Sequence, residues 1–205
     1  MSRSLQPGQS TGADTGHRRQ EILRWATECF DRMGYANTTL DDIARAVGIK
    51  REGIYYYFKN RAQILLEIIE PQSVALVDGI TAIVANPKME PHAKFKAAIR
   101  NHLERFDRHC LEMTVSTREG RYDGEPEIHD KMADIWNVYE TKWAQLIAEG
   151  QKQGSFRAIG DPKMLAFGVL GACNWLARWY DPRKPVTIDE LIETYSELLS
   201  GGLYA

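Results

Sequence analysis

Residues 38–61 read TTLDDIARAVGIKREGIYYYFKNR, and the punctuation of this stretch decides the fold. Thr39 stands three residues before Asp42 and immediately before the apolar set Leu40, Ile43, Ala44 and Val47. In that arrangement a hydroxyl and a carboxylate satisfy the free backbone N–H groups of a helix start. Gly48 ends the helix, because glycine enters the left-handed conformation of a helix stop without a Cβ penalty. Ile49 turns the chain inward, and a third short helix over residues 51–58 puts Ile54 and Phe58 on its buried side. Two short helices joined through glycine predict a helix-turn-helix.

Upstream, residues 17–33 place Ile22, Ala26, Cys29, Phe30 and Met33 on one helical face, with Gly34 as the stop. Residues 1–16 are rich in Ser, Gly, Gln and Thr and read as a disordered tail. Downstream, a long helix opens at Arg61; Pro71 removes one of its backbone hydrogen bonds and crowds the Glu67 carbonyl, which predicts a kink over residues 67–71. Helical spacing continues over residues 91–113, 125–153, 162–180 and 188–201, punctuated at 86–87, 120–124, 154–160 and 181–185. There is no repeat and no strand-like alternation of useful length. The expected fold is all-α, with a three-helix helix-turn-helix domain over residues 17–66 and a helical bundle over residues 67–205.

The net charge of −2 hides an asymmetry. Residues 1–61 carry ten Lys and Arg against seven Asp and Glu, and the rest carries sixteen against twenty-one. A basic front on an acidic body suits a head that meets phosphate and a body that phosphate repels. Cys29, Cys110 and Cys173 are odd in number and far apart, so no disulfide framework is expected and a reducing cytoplasm is the natural home. The N-terminus has no signal-peptide core. The apolar run over residues 164–180 is shorter than a bilayer span and holds Asn174 and Arg178, so it reads as a buried helix and no membrane partner is expected.

A DNA major groove admits one helix and rewards donors on that helix's exposed N-terminal face. Lys50 and Arg51 occupy that position, and Gly53 lets backbone approach closely. Tyr55, Tyr56 and Tyr57 supply hydroxyls beside the phosphates. Arg61 opens the next helix, where a cation and backbone N–H groups can meet a phosphate together. The partner expected from this is double-stranded DNA.

The segment resembles the DNA-binding domain of the tetracycline-repressor (TetR) family of bacterial regulators. An apolar first helix followed by Phe30, Gly34, Tyr35, Thr38-Thr39, Ile43, Ala44, Val47-Gly48, Ile54, Tyr55-Tyr56-Tyr57 and Phe58 matches the family pattern over about residues 17–66. The resemblance implies that Thr39 and Tyr57 hold phosphates, while Lys50, Arg51, Gly53 and Tyr55 face base edges or the neighbouring backbone. Two departures stand out. Arg61 replaces the usual Lys, and Lys50-Arg51-Glu52 replaces the commoner small-residue start of the reading helix.

The C-terminal stretch GACNWLARWYDPRKPVTIDELIETYSELLSGGL, residues 171–203, resembles the end of a subgroup that includes repressors of fatty-acid and steroid catabolism responding to acyl-coenzyme A thioesters. That resemblance implies a small-molecule effector, acyl-coenzyme A among the candidates, that releases a repressor from a palindromic operator. Candidate cavity walls are Phe95, Ile99, Leu103, Phe106, Trp136, Tyr139, Trp143, Phe167 and Leu170. Trp175 is the aromatic the subgroup places against the ligand. Arg178, Arg118 and Arg121 are candidate cations for its charged part.

Gly168, Gly171 and Ala172 would let a facing helix approach closely, beside Trp175, Trp179, Leu191, Tyr195 and Leu198, and this predicts a four-helix homodimer interface. Dimerisation also follows from DNA geometry, since two reading helices serve the two halves of a palindrome. His102 and His109 share a helical face beside Cys110, but seven residues put the imidazoles about 10 Å apart, so no metal site is expected. No cofactor is expected, and no nucleophile, acid/base pair or phosphate-cradling loop stands at recognisable spacing, so the chain is not read as an enzyme. The alternative is a helical adaptor that binds only protein, which has no need of a basic, tyrosine-rich third helix.

Overall fold

The computed structural model describes residues 12–118 and 126–204. Ten helices are present among them: α1 (Gly12–Met33), α2 (Leu40–Val47), α3 (Arg51–Tyr55), α4 (Arg61–Ala85), α5 (Pro91–Arg108), α6 (Cys110–Arg118), α7 (Pro126–Lys152), α8 (Pro162–Asn174), α9 (Leu176–Trp179) and α10 (Ile188–Leu203). Among the described residues there is no strand, only an isolated antiparallel bridge between Phe156 and Tyr204. The all-α expectation is met. The chain forms two compact units, divided between Glu67 and Ile68.

In the first unit α1 packs on α2 and α2 on α3, burying Ile22, Phe30, Ile43, Ile54 and Phe58. The turn between α1 and α2 is held from inside. Thr38 is buried, and its hydroxyl donates to the carbonyls of Gly34 at 2.8 Å and Cys29 at 3.3 Å. Helix α1 begins at Gly12, not at residue 17. Extending an existing helix backwards costs far less than starting one. The remainder of the predicted tail, residues 1–11, lies outside the described residues.

In the second unit α5 packs on α7 and α10, and α7 on α8. Phe95, Ile99, Leu103, Phe106, Tyr139, Trp143 and Ile192 form its fully buried centre. Two helices expected to be continuous are broken. His109 (φ −133°, ψ 48°) leaves helical geometry and separates α5 from α6, and Trp175 separates α8 from α9. The predicted loop over residues 120–124 lies outside the described residues.

Helix α4 runs unbroken through Pro71. The carbonyl that this proline leaves without its helical donor is that of Glu67, the residue at the boundary between the units. Asn101 of α5 lies on the backbone of α4, donating to the Leu76 carbonyl at 3.2 Å. It fits because Gly79 is glycine: a Cβ there would stand 2.1 Å from Asn101 Oδ1. Among the described residues α4, rather than residues 164–180, is long and apolar enough by length and composition to cross a membrane. Its Ile64, Leu65, Ile68, Ile69, Leu76 and Ile80 are buried within the fold.

Candidate functional site

The reading helix is built by its caps. Thr39 Oγ1 accepts from Asp42 N at 3.2 Å, and Asp42 Oδ2 accepts from Thr39 N at 2.9 Å and Thr39 Oγ1 at 2.6 Å. These bonds hold the Asp42 carboxyl below its ordinary pKa. Gly48 takes φ 77°, letting Ile49 N donate to the Ala44 carbonyl at 3.0 Å. Helix α3 then starts with Lys50 at its cap and ends at Tyr55, three residues sooner than the spacing predicted. Tyr57 N and Phe58 N both turn back to the Ile54 carbonyl, at 2.9 and 3.0 Å, because Phe58 must be driven into the core.

Lys50, Arg51, Glu52, Tyr55 and Tyr56 are exposed on one surface with Thr39, and Tyr56 is 71% exposed. Arg51 is not free in solvent. Its Nη1 lies 3.0 Å from Asp41 Oδ2 and its Nη2 donates to the Tyr55 hydroxyl at 3.1 Å, and both contacts favour the charged guanidinium. Tyr56 and Tyr57 meet edge to face with centroids 4.9 Å apart.

Arg61 has a task within the fold. Its Nη1 donates to the Thr38 carbonyl at 2.6 Å and the Tyr35 carbonyl at 2.9 Å, and its guanidinium lies 4.0 Å from the Tyr35 ring centre. A planar fork is suited to tying down a turn in this way. Arg61 therefore braces the segment that ends in Thr39. Arg19 acts alongside it, pairing both carboxylate oxygens of Glu67 while stacking 4.4 Å from the Phe58 ring centre.

The second unit carries two neighbouring clefts. One, of about 560 Å3, is lined by Thr117, Gly171, Asn174, Trp175, Ala177 and Arg178. The other, of about 310 Å3, shares Thr117, Gly171 and Asn174 and adds Ser116, Trp136, Glu140, Phe167 and Leu170. Trp175 is 59% exposed, with the Arg178 guanidinium 5.7 Å from its ring centre. Beneath lies His102, fully buried, with Nδ1 2.9 Å from the Tyr139 hydroxyl. Burial pushes its pKa down to about 4, opposed by the neighbouring Asn174 side chain, which favours the proton.

Two family profiles match the chain. The profile described as bacterial regulatory proteins, tetR family, covers residues 22–68, and that described as tetracyclin repressor-like, C-terminal domain, covers residues 88–203. The chain belongs to the TetR family. A TetR-family relative, the HTH-type transcriptional repressor KstR2 of Rhodococcus jostii (strain RHA1), is 28% identical over 198 residues, 96% of each chain. The ketosteroid transcriptional regulator KstR2 of Mycobacterium tuberculosis superposes with a TM-score of 0.84 at 21% identity, covering 92% of this chain and 95% of that one. AibR, solved in complex with isovaleryl coenzyme A and operator DNA, superposes at 0.76 with 21% identity, covering 88% and 97%. As a TetR-family regulator the chain binds DNA through its helix-turn-helix.

Several sequence-predicted residues are relocated in this TetR-family fold. Trp136, Phe167, Leu170 and Trp175 line the clefts. Phe95, Leu103, Phe106, Tyr139 and Trp143 line neither; they are sealed in the core, Phe95 and Tyr139 each meeting Trp143 edge on at 6.0 and 6.4 Å. Of the predicted interface, Gly168, Trp179 and Leu198 are exposed and Ala172 is half-buried, whereas Leu191 is buried inside the subunit and Tyr195 packs against its core. Leu191 lies one helical turn before Tyr195 on the inner face of α10. Met164, 72% exposed, and Thr117, at the junction of both clefts, were missed by the sequence reading. Arg121 and the Arg118 side chain lie outside the described residues.

Proposed function

We propose that this TetR-family chain is a homodimeric cytoplasmic repressor. In this reading it holds a palindromic operator through Thr39, Lys50, Arg51, Gly53, Tyr55, Tyr56 and Tyr57, with Arg61 bracing the turn behind them. It releases the operator when an acyl-coenzyme A thioester enters the two clefts. The carrying observation is their pairing: Trp136, Phe167 and Leu170 offer apolar wall, while Trp175 and Arg178 at the adjoining cleft offer an aromatic face and a cation. An acyl chain joined to an anionic, adenine-bearing head has that polarity. The named relatives support the reading, one group being called repressors and AibR having been solved with isovaleryl coenzyme A and operator DNA.

Both steps are binding steps, and no catalytic activity is assigned. Ligand in the clefts changes the separation of the two reading helices in the dimer. Palindrome half-sites must meet both helices at a spacing of about 34–36 Å or a multiple of it, so a modest misfit lowers specific affinity. Thermal shift of the purified protein with acyl-coenzyme A thioesters, against the matching free acids, tests the effector class. A thioester that binds the folded state raises the midpoint by mass action. The thioesters that do so should also lower anisotropy of a labelled duplex recovered by selection from a random pool. If no thioester shifts the midpoint, the effector assignment fails.

A further inference from the structure

A buried polar relay runs from the core to the wall of both clefts. The Tyr139 hydroxyl stands 2.9 Å from His102 Nδ1, and the relay takes the phenol as the donor to the ring. A neutral imidazole that accepts at Nδ1 carries its proton on Nε2. That nitrogen and Asn174 Oδ1 are both buried and close no hydrogen bond of normal geometry, although the Asn174 side chain is near enough to favour a proton on the ring. Two unmatched groups of complementary type, donor and acceptor, are thus left side by side in an interior where an unmade hydrogen bond is costly. Asn174 is also shared by both clefts.

We propose that Asn174 is the specificity-determining residue of the effector site, donating its amide N–H to a carbonyl oxygen of the ligand while its Oδ1 accepts from His102 Nε2–H. The inference rests on the effector class proposed above. A small rotation of the Asn174 side chain aligns it with the ring and presents its NH2 group to the cleft, so one movement satisfies three groups. His102 is the positioning residue: it makes the oxygen end of the amide face inward and the nitrogen end outward. The ligand group read here is a hydrogen-bond acceptor, and the thioester carbonyl is the one that every acyl-coenzyme A carries.

The test uses the full-length protein and matched probes. Isothermal titration with acetyl-, isovaleryl-, octanoyl- and palmitoyl-coenzyme A selects the tightest thioester. It is then compared with its S-alkyl-coenzyme A thioether, which keeps head group and chain but replaces the carbonyl by methylene. The wild type should favour the thioester by roughly 2- to 10-fold, the span of one neutral hydrogen bond. Asn174→Asp, which keeps the shape and loses the donor, should abolish that preference, read as the ratio of the two affinities in the same variant. Asn174→Leu and His102→Phe should also abolish the thioester-over-thioether preference if their circular dichroism is unchanged. Equal binding of thioester and thioether by wild type, or a preference that survives Asn174→Asp, overturns the role of Asn174 and leaves the effector class standing. Failure of all four thioesters to bind overturns the effector class, and this inference with it.

Discussion

Arg51 Nη1 lies 3.0 Å from Asp41 Oδ2, so the leading cation of the reading helix is tied to a carboxylate on the helix before it. The same guanidinium donates to Tyr55 at 3.1 Å. The Asp41–Arg51–Tyr55 triad links α2 to α3 on the exposed face proposed to meet DNA, and a guanidinium held by a carboxylate must exchange that partner to reach a base edge or phosphate.

Replacing Asp41 by Asn removes both the competing partner and a negative charge near the phosphates. The expected result is a few-fold tighter duplex binding, with a steeper loss of affinity as salt rises. Arg51→Ala should weaken binding and relax base preference at one half-site position. Anisotropy titrations at two salt concentrations and a selection from randomised duplex check both. Unchanged affinity and unchanged preference in the two variants would remove Arg51 from the reading surface.

Arg61 and Tyr57 make a contrasting pair. Arg61 holds the Tyr35 and Thr38 carbonyls, so Arg61→Ala should cost about 1–3 kcal/mol of stability in the first unit. It should weaken binding to every sequence alike, because the Thr39 cap loses its support. Tyr57→Ala removes a half-buried ring from the surface and should weaken binding with a smaller loss of stability. Urea unfolding beside duplex titration separates the two. Arg61→Lys should restore stability only in part, since one ammonium cannot reproduce the fork.

How far the sequence carried these assignments depends on whether the signal was local. The Thr39 cap, the Gly48 stop and the burial of Ile54 and Phe58 are local, and all are in the structure. The breaks at His109 and Trp175 have no glycine or proline to announce them; they answer to packing between distant segments. Phe95 and Trp143 were indistinguishable from Phe167 and Leu170 as cavity walls, because apolar character reads the same whether a side chain lines a cleft or fills a core. Leu191 and Leu198 lie seven residues apart on α10, yet one is buried and the other 69% exposed. That Arg61 serves the Tyr35 and Thr38 carbonyls has no local signal, because only the folded turn brings them together.

Lys94 is a buried cation with a structural task. Its Nζ donates to the Val84 carbonyl at 2.9 Å, near the C-terminus of α4, and lies 3.2 Å from Glu149 Oε1. A cation at that end satisfies a carbonyl left free by the helix and complements its dipole. Lys94→Ala should lower stability by about 1–3 kcal/mol through the lost charged hydrogen bonds. Lys94→Met, which keeps the apolar stem, should lose less. Chemical denaturation of both variants measures the difference, and equal stability of wild type and Lys94→Ala would contradict the assignment.

His102 sets an acid limb in the stability profile. Its pKa falls from 6.5 to about 4 on folding, so above pH 6.5 the ring is neutral in both states and contributes no slope. Between 6.5 and about 4 the unfolded chain takes up a proton that the folded chain refuses, and stability falls as pH drops. The loss sums to about 3 kcal/mol and ends where the folded ring also protonates. The carboxyls of Asp42 and Glu190, held below their ordinary values of 3.8 and 4.5, withdraw their contribution at lower pH. The urea midpoint of wild type should fall relative to that of His102→Phe as pH drops across this range, and parallel curves would show that the ring titrates normally.

Exposed apolar side chains between α8 and α10 bear on the dimer. Met164, Phe167, Trp175, Trp179 and Leu198 are all large, apolar and exposed on one chain, side chains that a second copy would remove from water. Gly168 stands among them with open space where a Cβ would project, which suits close approach of a second copy. Leu198→Glu places a charge there without touching the subunit's own core. Light scattering should report a dimer for the wild type and a monomer for this variant, with its thermal midpoint lower and concentration-independent. The monomer should retain weak, salt-sensitive attraction to any duplex and lose its preference for a palindrome, because one reading helix cannot engage two half-sites. A Leu198→Glu protein that stays dimeric would move the interface elsewhere, and one that is monomeric yet keeps full palindrome preference would separate operator reading from dimerisation.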